Sequence, residues 1–505
     1  MRERGPYKRD MFAQTTSVAM VGADARPVRI EAHVGRSKEA FTVVGLPDTS
    51  VREAKDRVRA AIISTGREFP HRRVTVNLSP ANLPKAGSDY DLPIALGVLA
   101  AMGEAPAATA RVIVAGELSL DGSVSRSRSA IGAGLLAARR DWPCLVAERD
   151  AAAAARVPGA TVYPVSSLAE AVAVVGGSQE PREISSAPPD LAEPTADLAD
   201  VRGQPLARRA LEIAAAGGHH LLMVGSPGAG KTMLAARLPG ILPPLTATEA
   251  VEVACVWASA DRPRDFSDRP PFRSPHHSAS MAAVVGGGNG HPVPGELSLA
   301  HRGVLFLDEL GEFPPHVLNS LRQPIEEGRV TIARRGSTIT FPSMAQLVAA
   351  SNPCPCGFRG DRLRACRCTD SSLARYRRRL TGPFLDRFDL RVFVSTPDSS
   401  SLLGPPAESS EQVRDRVIGA RSIQSARSTE LGSPINGRMG RSDLDRPPID
   451  PVARGLLTSA VDAGLLTGRG VDRIRRVART IADLSGIEVV GDEHVAEALA
   501  FRGDL

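Results

Sequence analysis

The chain has 505 residues, with 62 Lys and Arg against 56 Asp and Glu, a formal charge of +6. Apolar residues at 42% suffice for packed cores, and the length suggests about three domains. No apolar run approaches the ~18 residues of a membrane span, the charged start MRERGPYKRD is no secretory signal, and six cysteines are too few for a disulfide scaffold. A cytoplasmic protein with no membrane partner is expected. Arginine supplies nearly all the positive charge. The five lysines are Lys8, Lys38, Lys55, Lys85 and Lys231, so a lysine at 231 marks a site that prefers a compact ammonium to a planar guanidinium.

Residues 1–12 read as a disordered extension, with Met11 an alternative start. Over 13–175, short apolar runs (FTVVGL, RVTVNL, RVIVAGEL) alternate with Ala-rich helical stretches, and DLPIALGVLAAM reads as a buried helix, giving an α/β domain. Residues 176–197 are rich in Pro, Ser and acid and read as a linker. Strand–helix alternation resumes over 198–396. Residues 397–450, rich in Ser, Pro, Gly and Arg, read as a flexible connection, and 451–505 read as a helical domain closing the chain.

The strongest local signal is Gly225-Ser226-Pro227-Gly228-Ala229-Gly230-Lys231-Thr232, followed by Met233. It follows the apolar run LLMV and opens a helix, the context of a phosphate-binding loop. Glycines let backbone N–H groups converge on a phosphate, and the helix N-terminus adds positive potential. Lys231 would bridge the β- and γ-phosphates of ATP, and Thr232 would hold Mg²⁺. Further on, Val304-Leu-Phe-Leu307 ends in Asp308 and Glu309. Asp308 can reach the Mg²⁺ shell, and Glu309 can polarise an attacking water. A third run, Gln346–Ser351, ends at Asn352, whose side chain could orient that water; Asn-Pro is also a common turn opener. Together the three pieces predict NTP hydrolysis.

Cys354-x-Cys356 and Cys366-x-Cys368 offer four thiolates to a structural Zn²⁺, at a spacing tighter than the usual C-x-x-C; reduced structural thiols, or a disulfide or cluster, are the alternatives. His276 and His277 could be ligands, but a Pro-His-His turn is more often hydrogen-bonded surface. Residues 354–391 carry ten arginines against four aspartates, with Arg375-Tyr-Arg-Arg-Arg379 dominant, and Arg334-Arg335 stand at the expected tip of a hairpin. Such arginines would track a DNA backbone without reading sequence, or line a subunit interface. Asp121-Gly-Ser123-Val-Ser125 fits a metal-adhesion string, although an Asp-Gly hairpin turn explains it better.

The strings Arg273-Ser-Pro-His-His277, Val284-Val-Gly-Gly-Gly288, Pro294 to Leu310 and Asn352-Pro-Cys-Pro-Cys-Gly357 resemble the magnesium-chelatase-like AAA+ ATPases, and within them the ComM/YifB family, from about Ala13 to Arg502. The resemblance implies an α/β fold class with three parts: a Lon-protease-like (ribosomal S5 domain 2-like) N-terminal domain, a P-loop AAA+ core and a C-terminal helical lid. The core would carry an insert in its second helix and a hairpin before its third signature strand. It further implies a hexameric ring acting on DNA, single-stranded or branched, as a branch-migration helicase in recombination or natural transformation. Asp200-Val201-Arg-Gly-Gln204 matches the segment contacting the base, and Asn352 matches sensor 1. Arg387, in Asp386-Arg-Phe-Asp389, matches the finger that reaches a neighbour's γ-phosphate. Arg469 matches sensor 2 of the lid, with Arg473 the alternative. In Pro84-Lys85-Ala-Gly-Ser88-Asp89 the nucleophile position of the Lon-like domain holds Asp89. No lysine lies between 86 and 230, so a Ser–Lys dyad is not expected. A chelatase motor subunit inserting Mg²⁺ into a porphyrin, or an ATPase remodelling protein clients, are the rival readings; stimulation by porphyrin, protein or DNA discriminates them.

Overall fold

The computed structural model describes residues 11–502, apart from 46–48, 82, 84, 86, 185–195, 261, 263–265, 289–291, 335–336, 362–363, 381–383 and 432–434. Ten residues of the expected N-terminal extension and most of the expected linker lie outside them. Met11 and Phe12, counted with that extension, instead open the strand Met11–Val21. Among the described residues no helix is long and apolar enough to cross a membrane. Contacts divide the chain into two units, 1–191 with 246–268, and 192–245 with 269–505.

The first unit is built on a seven-stranded mixed sheet in the order Ala40–Val44, Arg73–Ser79, Asp24–Val34, Met11–Val21, Ile113–Val114, Pro143–Ala147, Thr161–Val165. Alternation sets the buried face: Val74, Val76 and Leu78 are fully buried while Arg73 is exposed. The helix Thr49–Ser64 covers that face with Val51, Ala54, Val58, Ala61 and Ile62, spaced by three or four residues. Asp91–Met102 is buried nearly all round, as its unbroken apolar run requires. Residues 246–268 were expected within the core of 198–396. They contact the first unit instead, because Val251 and Cys255 of the helix Ala247–Ser259 pack beside Val157, Leu135 and Met20. Asp121 closes the short hairpin of Glu117–Leu118 and Val124–Ser125, its carboxylate accepting from the Ser123 N–H (2.9 Å) and hydroxyl (2.7 Å), which accounts for that string as a turn.

In the second unit we label α1 Pro205–Gly217, β1 Leu221–Val224, α2 Lys231–Ile241, β2 Phe272–Arg273, β3 Val304–Leu307, α3 Pro315–Glu327, β4 Gln346–Ser351, α4 Asp370–Leu380, β5 Leu390–Phe393, α5 Ser410–Leu431 and α6 Gly468–Leu484. The five strands form an all-parallel sheet in the order β2-β3-β4-β1-β5. β1, β3 and β4 are buried along their whole lengths, as strands covered on both faces must be. Between β2 and β3 a small hairpin, Gly286–Gly287 with Val293–Pro294, interrupts two short helices, and a second hairpin, Arg329–Arg334 with Ser337–Pro342, precedes β4. Arg335 and the side chains of Arg334, Arg377 and Arg379 lie outside what is described.

The expected flexible connection at 397–450 is largely helical. α5 runs for 22 residues and packs on α1 and α2 through Val413, Val417 and Ala420. One apolar residue per turn is enough where the facing helices are rich in alanine. After the short helical turns Asn436–Arg438 and Arg441–Leu444 come the helices Pro451–Asp462, α6 and Asp492–Ala500. Buried polar contacts tie α6 to the base of the sheet: His219 Nε2 meets Thr480 Oγ1 at 2.8 Å, and His219 Nδ1 meets Asp389 Oδ2 at 3.1 Å.

Candidate functional site

The carboxyl ends of β1, β3 and β4 open onto one edge, because Val224 pairs with Ser351 and Leu307 with Ala349. Residues following those strands converge there. Gly228 (φ 82°) and Gly230 (φ 90°) are left-handed, a conformation that costs glycine nothing, and α2 starts at Lys231. A side chain at Gly228 would stand in open space, the concavity a phosphate needs.

Lys231 Nζ donates to the carbonyls of Gly225 (2.6 Å) and Ser226 (3.0 Å) and to Asn352 Oδ1 (3.3 Å), so the loop lysine and the tip of β4 share one point. Burial lowers the Lys231 pKa, while Asp308 and Glu309 favour its charge. The Thr232 hydroxyl donates to Asp308 Oδ2 at 2.7 Å, and Asp308 Oδ1 accepts the Glu309 N–H at 2.9 Å. A hydroxyl and a carboxylate at this separation are hard oxygen donors of the kind Mg²⁺ takes. Glu309 is itself left-handed (φ 51°), an uncommon state for a non-glycine residue, and its Oε2 meets His277 Nδ1 at 3.3 Å. His276 Nδ1 meets Ser278 Oγ at 2.7 Å, so neither histidine joins the cysteines.

Beside the loop lies a cavity of about 280 Å³ lined by Asp200, Val201, Gln204, Ala229, Met233 and Leu402 among others. Gln204 Nε2 donates to the carbonyls of Ala229 (3.2 Å) and Ser395, joining the segment before α1 to the loop and to the end of β5. Leu402 and Pro397, which close the cavity, come from the segment expected to be flexible; no spacing in the sequence marks them.

Arg387 is elsewhere. It precedes β5, and Leu390 pairs with Leu221 at the start of β1, so it stands at the amino edge of the sheet. The four residues of β5 alone separate the two edges by about 13 Å. There Arg387 Nη1 pairs with Glu326 Oε1 of α3 at 2.6 Å. Arg473 of α6 lies 3.7 Å from Asp386 and 3.9 Å from Asp389, while Arg469, one turn earlier, is exposed.

The four cysteines come together. Cys354 Sγ is 3.4 Å from Cys356 Sγ and 3.7 Å from Cys366 Sγ, Cys356 and Cys366 are 3.6 Å apart, and all four sulfurs lie within 4.8 Å of one another. Thiolates about 2.3 Å from a tetrahedral Zn²⁺ stand about 3.8 Å apart, so the tight C-x-C spacing is no obstacle to one metal. The N–H groups of Phe358 and Arg367 lower the Cys356 thiol, while burial pushes the Cys354 thiol up to about 12 and raises that of Cys368.

A parallel sheet in this order, with a glycine loop leading to Lys-Thr after β1 and carboxylates at the tip of β3, β4 lying between the two, defines the P-loop AAA+ class. The family described as magnesium chelatase, subunit ChlI, matches residues 197–402. Its companions, described as subunit ChlI of Mg-chelatase and as the subunit ChlI C-terminal region, match 30–148 and 407–502. The chain is 43% identical over 493 residues to the uncharacterized protein YifB of Salmonella typhimurium, covering 96% of each. It is 42% identical over 497 residues to the competence protein ComM of Haemophilus influenzae, again covering 96% of each. A magnesium-chelatase 67 kDa subunit of Heliobacterium mobile is 29% identical over 196 residues, 33% of this chain and 29% of that one. The chain belongs to the ComM/YifB family of magnesium-chelatase-like AAA+ ATPases.

Proposed function

We propose that this chain is an ATP-hydrolysing ring motor acting on DNA, a branch-migration helicase of recombination or natural transformation. The observation that carries the reading is the division of one chemistry between two edges of a sheet. Lys231, Thr232, Asp308, Glu309 and Asn352 stand at one edge and Arg387 at the other, so a second copy must bring its arginine to complete a site. A closed ring, six copies by family resemblance, supplies one arginine to each site.

In each site Lys231 neutralises the β- and γ-phosphates of ATP, and Val201, Gln204 and Met233 border the base. Thr232 and Asp308 hold Mg²⁺, which supplies charge neutralisation to phosphoryl transfer. Glu309 accepts the proton of the attacking water, Asn352 orients that water, and Arg469 reads the nucleotide from the lid. The four cysteines hold a structural Zn²⁺.

DNA as partner rests on the likeness to a competence protein and on the excess of arginine over 354–391. The first unit is a Lon-like module without peptidase chemistry. Its Lys85 amine is held by the carbonyls of Gly45 and Pro80, and the hydroxyl of Ser88 by Glu117 at 2.6 Å. A cytoplasmic location suits six free thiols.

The test is steady-state ATPase of the full chain, with Lys231→Ala as blank, without DNA and with single-stranded, duplex and branched DNA at two salt concentrations. Salt-sensitive stimulation, greatest on branched DNA, supports the motor. Turnover indifferent to every nucleic acid sinks it and favours the chelatase reading, which predicts stimulation by a porphyrin instead.

A further inference from the structure

The cysteine loop touches the nucleotide site. Asn352, whose Oδ1 meets Lys231 Nζ at 3.3 Å, is two residues before Cys354. Gly357 closes the first cysteine pair with a turn, its N–H donating to the Cys354 carbonyl at 2.9 Å. It is left-handed (φ 84°) and lies directly on the phosphate loop: a Cβ there would stand 2.6 Å from Cδ and 2.7 Å from Cγ of Pro227. At the far end of the loop, the Tyr376 hydroxyl of α4 donates to the Asn352 carbonyl at 3.0 Å, with Ser351 Oγ at 3.1 Å. Both ends of the loop are therefore fastened to the tip of β4, and its middle rests on Pro227.

Nothing regular holds the stretch between. The described residues of 353–369 form no helix or strand, and only Cys354 and Gly357 among them are buried. A loop this long, without a core of its own, takes its shape from a cross-link. The four sulfurs, gathered within 4.8 Å, are the one cross-link its described residues offer.

We propose that Zn²⁺ bound by Cys354, Cys356, Cys366 and Cys368 positions Pro227 and Asn352 in the nucleotide site, so that ATP binding and turnover depend on the metal. The inference rests on the reading of that site as an ATPase. Cys354, Cys356, Cys366 and Cys368 touch no substrate; they are positioning residues that act through the loop. Release of the metal frees Gly357 from Pro227 and lets Asn352 drift from Lys231. A displacement of about 1 Å at a catalytic group costs about 10²-fold in rate.

The experiment uses the full-length protein in three forms: as purified, stripped with a chelator, and stripped then reloaded with Zn²⁺. Metal content, affinity for a fluorescent ATP analogue and steady-state turnover are measured on each. We expect one zinc per chain, turnover lower by about 10²-fold on stripping with nucleotide affinity weakened alongside, and recovery of both on reloading. Cys366→Ser should behave as the stripped protein. Since such a variant can misfold, Gly357→Ala is the second probe. It keeps all four cysteines and the zinc, yet pushes a methyl group into Pro227, and should lose turnover with the metal in place. Stripped protein that binds and hydrolyses ATP as before overturns the proposal, as does a preparation that takes up no zinc or holds iron instead. A zinc-loaded wild-type protein that neither binds nor hydrolyses ATP overturns the ATPase reading itself, and the metal measurement tells the two failures apart.

Discussion

Arg387 Nη1 lies 2.6 Å from Glu326 Oε1, at the edge of the parallel sheet away from Lys231. Glu326 is 55% exposed while the Arg387 side chain is 13% exposed, so a neighbouring site that takes the arginine must draw a half-covered pair apart. If Arg387 serves the next copy, Arg387→Ala subunits poison assemblies they enter. In mixtures at fixed total protein, turnover should fall faster than the wild-type fraction. The pure variant should lose about 10³–10⁵-fold in turnover. Loss in simple proportion would argue for an arginine acting within its own chain.

Among the described residues Lys231 hydrogen-bonds both the phosphate loop and Asn352. Replacing it by alanine removes the one ammonium among the described residues of the site and leaves the Gly225 carbonyl without its donor, while the Ser226 carbonyl keeps the Ala229 N–H. Lys231→Ala should bind a fluorescent ATP analogue at least about tenfold more weakly and show no turnover above background. Phosphate release near the wild-type rate would remove Lys231 from the mechanism.

Glu309 touches neither Lys231 nor Thr232; its carboxylate faces His277 at 3.3 Å. A group in that position can act on water without holding the nucleotide. Glu309→Gln should therefore keep ATP affinity within about threefold and lose turnover by about 10²–10⁴-fold, the range of general-base catalysis. Hydrolysis at the wild-type rate would reassign water activation to another residue.

His220 sits at the base of β1, where its Nδ1 accepts the Leu347 N–H at 3.0 Å and so must be unprotonated. Burial pushes its pKa down from 6.5 to about 4; Asp389 favours the charged form, and Arg438, His219 and Arg387 oppose it. A histidine depressed in the folded state stabilises above its unfolded pKa and loses that contribution as pH falls. Stability from this residue should decline between pH 6.5 and about 4, by up to about 1.4 kcal/mol per pH unit. Below that the loss levels off. Denaturant unfolding of wild type and His220→Asn, whose Oδ1 replaces Nδ1 as acceptor, should diverge in slope over that window; parallel curves would count against it.

The strings that read as a nucleotide site are local ones. Glycines at 228 and 230 meet a backbone demand made within six residues, and four apolar residues ending in Asp308 and Glu309 describe a buried strand and its tip without reference to anything else. Other features left no such trace. α5 carries Val413, Val417 and Ala420 in a Ser- and Arg-rich stretch, and its burial depends on the alanines of α1. The helix Ala247–Ser259 is amphipathic enough to be legible as a helix, but its partners Val157, Leu135 and Met20 lie about a hundred residues and more before it.

Sequence alone marked which residues are candidates for phosphate, metal and water chemistry, since those groups need particular side chains at short spacings along one strand–loop–helix unit. Tertiary structure decided the rest: that Arg387 stands at the sheet edge opposite Lys231, that Pro397 and Leu402 close the cavity beside the loop, and that four cysteines meet in a loop whose Gly357 rests on Pro227. The physical reason is the same in each case. Strand register and helix packing bring together residues far apart in the chain, and each of those residues is locally compatible with many other neighbours.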